Sequence, residues 1–195
     1  MDLVGRVKQI ILKPKDAWEQ IKGEETTIKD LYTSYAAILA IIPPVATFIG
    51  WSIVGMSFMG FSYRIPFMSG ISYAVFHYIL SLAGLYLVAF IIDMLAPNFG
   101  SRKNMVNAMK VAVYANTPNW VASVLFIIPA LSPIVMIASL YSLYLFYLGL
   151  PVLMETPKEK TVGYIIVIII VSIIVFYLTG TIARIVIPGR GMMMP

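Results

Sequence analysis

Residues 67–103 read FMSGISYAVFHYILSLAGLYLVAFIIDMLAPNFGSRK, and this stretch decides the fold class. Its first part, residues 67–95, contains a single formally charged side chain, Asp93. A bilayer core about 30 Å thick is crossed by roughly 20 apolar residues in helical conformation. Pro97 stops the run, and Arg102-Lys103 follow within a few residues. A long apolar run closed by proline and then by cations reads as a membrane span whose basic end marks the cytoplasmic side.

Four further stretches repeat the pattern. The expected fold is all-α and integral to the membrane, with transmembrane helices at about 31–57, 67–95, 104–128, 134–154 and 161–187. Residues 1–30 are read as a cytoplasmic amphipathic segment, 31–187 as the five-span membrane domain and 188–195 as a C-terminal tail. Composition agrees. The chain has 195 residues, 60% of them hydrophobic and 12% charged, where a soluble domain carries roughly a quarter charged. Mean hydropathy is +0.89. Pro43-Pro44 is expected to kink the first span, and Pro118 to interrupt the third. Cysteine is absent, which excludes disulfides, thiol nucleophiles and thiolate metal sites. The first thirty residues carry six cations and no apolar run ending in a small-residue cleavage site, so no cleavable signal peptide is expected.

Leu3, Val7, Ile10 and Ile11 share one face of a short N-terminal helix, with Arg6 and Lys8 off it. Asp2 is placed to cap it. Pro14 ends that helix and opens a second through Trp18 and Ile21. Thr27-Ile28-Lys29-Asp30 has the form of a capping box with Asp in place of Glu. A basic polar side opposite Trp and Ile fits a helix lying in the membrane interface, and equally a helix packed on the bundle. Arg6, Lys8, Lys13, Lys15 and Trp18 are the candidate contacts to lipid or to a protein partner.

The cations set the orientation. With a cytoplasmic N-terminus, the inner segments hold eleven of the fourteen Lys and Arg residues, and the outer ones hold Arg64, Arg184 and Arg190. That bias places the N-terminus inside and the C-terminus outside. Net charge is +5. Because the cations flank spans, they are read as partners of anionic headgroups rather than of nucleic acid.

Three segments carry a family likeness. They are Asp93-Met94-Leu95-Ala96-Pro97-Asn98-Phe99-Gly100, Tyr114-Ala115-Asn116-Thr117-Pro118-Asn119-Trp120 and Tyr141-Ser142-Leu143-Tyr144-Leu145-Phe146-Tyr147-Leu148-Gly149-Leu150-Pro151. With the Pro14…Trp18 segment and five spans, the chain resembles a prokaryotic member of the Yip1 family. The resemblance implies a five-span bundle with a cytosolic N-terminus. Eukaryotic relatives act in Golgi and vesicle trafficking and engage small prenylated GTPases. This chain lacks their long cytosolic N-terminal region, so neither that role nor any functional residue is carried over.

An ionisable group within a span costs several kcal/mol unless paired or hydrated, and so marks a candidate site. Asp93 and Lys110 lie at similar depth on neighbouring antiparallel spans and can meet, as a structural ion pair or as a proton or cation site. Asn107, Lys110, Tyr114 and Thr117 recur at helical spacing on one face, and Asn116 widens that stripe beside Pro118. Asp93, Lys110, Tyr114, Asn116, Thr117 and Pro118 therefore form the candidate intramembrane polar site, read either as interhelical hydrogen bonding or as a water-lined cavity. With one histidine there is no serine triad, and no metal-ligand cluster, phosphate loop or cofactor motif is read. The expected function is a non-enzymatic membrane protein acting through protein partners or membrane organisation. The alternative is a proton, cation or small-solute permease between spans 2 and 3, and a homo-oligomer is compatible with both.

Overall fold

The computed structural model describes residues 2–58 and 61–186, which form helices joined by short loops, with two three-residue strands. α1 (Leu3–Leu12) begins where the Asp2 carboxylate accepts the Gly5 N–H at 3.0 Å. α2 (Pro14–Gly23) begins on proline, which has no N–H to leave unpaired in a first turn. The Thr27 hydroxyl accepts the Asp30 N–H and opens α3 (Ile28–Val54).

α3 is irregular. It widens into π-helical turns at Tyr32–Ala36 and Ile49–Val54, and it breaks at Ala40 and Ile41. The cause is Pro43-Pro44. Neither residue donates to a carbonyl one turn back, so the α-helix restarts at Ile42 with both prolines in its first turn. β1 (Met56–Phe58) and β2 (Phe61–Tyr63) pair antiparallel, with Met56 opposite Tyr63.

α4 (Phe67–Leu95) occupies the expected second span, then tightens into a 3-10 turn, Ala96–Phe99. α5 (Met105–Ala115) is capped by Asn104, whose side chain accepts the Asn107 N–H. The helix breaks at Asn116, restarts as α6 (Thr117–Ala122) with Pro118 in its first turn, and tightens into a 3-10 stretch, Ser123–Ile127. α7 (Ser132–Leu153) and α8 (Lys158–Val186) complete the bundle. The expected tail 188–195 and Arg190 lie outside the described residues, and the Arg184 side chain lies outside the described side chains.

Among the described residues three helical stretches are long and apolar enough to cross a membrane: Ile28–Val54, Phe67–Phe99 and Pro129–Leu153. Their outward faces carry Val75, Phe76 and Ile79 on α4, and Met136, Ile137 and Leu140 on α7. An apolar surface this continuous is built for lipid contact rather than water.

α5 sits in the centre, against α4 and α7. Residues 108–115 are buried without interruption, so every side of the helix faces protein. The core then extends into the N-terminal segment, where Ile10, Ala17, Trp18 and Ile21 are as buried as Leu145 and Leu150 of α7. Trp18 lies against Gly149, where an added Cβ would come within 2.8 Å of the indole Cζ2. Trp18 is only 1% exposed, so it does not stand open on the surface as the lipid or partner contact expected of it. An amphipathic pattern specifies an apolar face without saying whether lipid or protein covers it, and here protein covers it.

Trp18→Ala is expected to destabilise the bundle by about 3–5 kcal/mol. Gly149→Leu should unseat α2 by filling the same notch. Thermal unfolding in detergent checks both, with exposed Met136→Ala as a control that stays within about 0.5 kcal/mol of the parent. A Trp18→Ala midpoint equal to the parent's would refute this packing account.

Candidate functional site

The polar stripe of α5 points toward helix ends. Lys110 is 3% exposed, and its ammonium donates to the carbonyls of Ile21 at 2.9 Å and Glu24 at 2.6 Å. These carbonyls lie at the C-terminus of α2, where the Ile21 carbonyl also accepts the Glu24 N–H at 3.3 Å and the helix dipole favours a cation. Asn107 Nδ2 likewise donates to the Leu153 carbonyl at the end of α7, at 2.9 Å. Tyr141 Oη donates to the Ile11 carbonyl at the end of α1, at 2.8 Å.

Asp93 and Lys110 do not pair, which corrects the expected contact. Similar depth on adjacent helices fixes height but not azimuth. Lys110 turns to α2, while Asp93 Oδ2 lies 3.8 Å from the Lys103 ammonium in the loop after α4. Asp93 Oδ1 is buried without a hydrogen-bond partner. Tyr164 of α8 donates to the Ile92 carbonyl on the same part of α4.

Above Lys110 lies Arg6 of α1, 8% exposed, which pairs with the Glu24 carboxylate. Its guanidinium also sits 5.8 Å from the centre of the Tyr114 ring, within cation–π range. Glu24 thus receives Arg6 at its carboxylate and Lys110 at its carbonyl. Arg6 is therefore not an exposed lipid or partner contact as expected, whereas Lys8, Lys13 and Lys15 are exposed.

A polar cavity of about 790 Å3 opens here, with Arg6, Gln9, Gln20, Glu24 and Asp30 in its wall, and it reaches Tyr114. Beyond Tyr114 the interior is packed. Its ring meets Tyr35 edge-on at 5.0 Å and Trp18 at 6.4 Å. Tyr35 Oη and Thr117 Oγ1 are 2.9 Å apart, and Thr117 and Pro118 are buried. Asn116 is half-buried, and its side-chain oxygen lies 3.5 Å from Asn119 Nδ2. The structure therefore brings Lys110, Tyr114 and Thr117 into one connected core with Arg6 and Trp18, and leaves Asp93 apart. Sequence reasoning missed Glu24, Tyr35 and the capping role of Tyr141. Gly149 was the available signal, a small residue inside an otherwise bulky run of α7.

Long apolar helices around a buried polar centre define an integral membrane protein that crosses the bilayer more than once. The Yip1 domain model matches residues 8–179, and the chain belongs to that family. Two proteins named Inner membrane protein YohC, from Escherichia coli strain K12 and Escherichia coli O6:H1, are each 29% identical over 159 residues. Each alignment covers 77% of this chain and 80% of the relative. No solved structure matches the chain.

Lys110→Met keeps the length of the side chain and removes its donors, leaving the Ile21 carbonyl to the Glu24 N–H alone and taking the ammonium from the part-buried Glu24 carbonyl. An unsatisfied buried group costs about 1–3 kcal/mol. The N-terminal segment of this variant is expected to become sensitive to limited proteolysis at residues 12–24 while the helices of the bundle persist. Equal cleavage of variant and parent would count against the cap.

Proposed function

We propose that this protein is a five-span, non-enzymatic member of its family. In this reading it sits in the cytoplasmic membrane and gathers anionic lipids at a basic cytoplasmic face. Met105–Ile127 and α8 supply the two further crossings. α8 has 29 residues, about 43 Å of helix at 1.5 Å per residue, more than a hydrocarbon core requires.

The observation that carries this reading is the convergence of the basic segments at one end. Arg102 N–H donates to the Met154 carbonyl at 2.8 Å, and Ser101 Oγ to Thr156 Oγ1 at 2.8 Å. Lys110 ties α2 to the same end. Lys22, Lys29, Arg102, Lys103, Lys158 and Lys160 on these segments are exposed, as are Lys8, Lys13 and Lys15 of the N-terminal helices. Each such cation near an anionic surface contributes about 1 kcal/mol. Arg64, by contrast, lies beside Gly55 after α3. The permease alternative, a route between the second and third spans, draws less support, since Tyr114 and Thr117 of its polar stripe pack against Tyr35.

The cysteine-free chain suits single-cysteine labelling. Lys13→Cys is expected to react with an impermeant maleimide only after the cytoplasmic side is opened, and Arg64→Cys only from outside. The reverse pattern would invert the proposed orientation.

In mixed vesicles the parent protein should enrich fluorescent phosphatidylglycerol around itself. Lys8→Gln/Lys13→Gln/Lys22→Gln should lose most of that enrichment, and about 0.5 M salt should weaken it by screening. No enrichment by the parent would refute the lipid reading and direct attention to a protein partner at the same face.

A further inference from the structure

We propose that a cleft between α2 and the C-terminal end of α7 is a selective site for one phospholipid with a phosphoethanolamine headgroup. The cleft measures about 440 Å3. Its rim carries Lys15, Asp16 and Glu19 from α2 and Lys158 from α8, and its floor is formed by Leu148, Pro151 and Val152. The site relies on the orientation proposed above only to say which leaflet supplies the lipid.

The rim holds two ammonium groups and two carboxylates, so it is balanced in charge where the surrounding face is basic. All four residues are exposed, and none joins an ion pair. The ion pairs among the described residues are Arg6–Glu24, Arg102–Glu155 and Lys103–Asp93. Two cations and two anions thus stand around one opening with their charges uncommitted to each other.

An apolar track leads away from the cleft. Met136, Leu140, Leu143, Tyr144 and Tyr147 are exposed on α7 and fall at i, i+4, i+7, i+8 and i+11, so they line one face. From Tyr147 to Met136 this seam is about 16 Å long at 1.5 Å per residue. A polar rim at the end of an apolar seam matches the division of a phospholipid into headgroup and acyl chain.

The rim chemistry selects the headgroup. A phosphate placed between Lys15 and Lys158 gains charge-assisted hydrogen bonds. Asp16 and Glu19 remain, and they need a cation that donates N–H. A primary ammonium meets that need. A trimethylammonium group has the charge but no donor, and a glycerol headgroup leaves both carboxylates without a countercharge.

The test uses the purified full chain equilibrated with phosphatidylethanolamine, phosphatidylcholine and phosphatidylglycerol of identical acyl chains, with bound lipid read by native mass spectrometry. The parent is expected to retain one phosphatidylethanolamine, preferred on the order of tenfold over each of the others, which corresponds to about 1.4 kcal/mol. Lys15→Gln/Lys158→Gln should lose the retained lipid. Asp16→Asn/Glu19→Gln should keep a lipid but no longer distinguish ethanolamine from choline. Lys8→Gln/Lys13→Gln, with the same change in charge elsewhere, should retain the preference, and unfolding midpoints confirm that each variant is folded.

Equal retention of all three lipids by the parent overturns the site, as does an unchanged preference in Lys15→Gln/Lys158→Gln. A parent preference for phosphatidylglycerol also overturns it, leaving only the general attraction of the basic face. Selective ethanolamine retention without phosphatidylglycerol enrichment would uphold the site and sink the broader anionic-lipid reading.

Discussion

A helix that ends against a folded bundle leaves its last carbonyls short of intrahelical donors, and this protein has three such ends that neighbouring helices serve. α1 ends under Tyr141, α2 on Lys110 and α7 on Asn107. In a lipid-solvated protein, water cannot be relied on to satisfy these groups, and each one left bare costs several kcal/mol. The donors all come from neighbouring helices, so each cap is also a tertiary contact. α5 supplies two of them, which is one reason that the most buried helix of the bundle carries polar residues at all.

This requirement accounts for a lysine at the centre of the protein. Two carbonyls at a helix C-terminus offer partial negative charge from the dipole as well as lone pairs. An ammonium with three N–H groups can serve both at once. Arg6 and Glu24 extend the arrangement outward, so the cation that follows along the same cavity wall is paired as well. The α1–α2 segment is consequently part of the fold rather than an arm laid on the bilayer. Removing it would expose Lys110, Tyr114 and the Gly149 notch together.

Much of the helix layout was legible because length, proline and caps act locally. Asp2, Pro14 and Thr27 start helices where local rules place them, and α4 begins and ends at the expected residues. The polar stripe was legible as a stripe but not as a set of caps, since sequence spacing gives a helix face without naming what packs on it. The same gap explains the Asp93–Lys110 expectation. Depth along a span follows from residue count, whereas the direction a side chain takes around the axis depends on where α2 and α8 sit. Trp18 was ambiguous for a related reason: the face that would enter the interface is the face that enters the core. Only Gly149, some 130 residues later, holds the complementary shape.

The caps also bear on the basic face. Lys15 stands on α2 and Lys158 on α8, and these helices meet through α7 rather than through each other's charged groups. Their separation is therefore set by the Trp18–Gly149 contact on one side and by the packing of α8 on α7 on the other. Core packing fixes where the four side chains leave the backbone, and spacing set before any lipid arrives lowers the ordering cost of binding. Exposed lysines on a loose arm would attract anionic lipid by charge alone and would not discriminate between ammonium types. The constraint that fixes α2, the carbonyls at its end held by the Lys110 ammonium, is thus also what spaces the rim of the cleft.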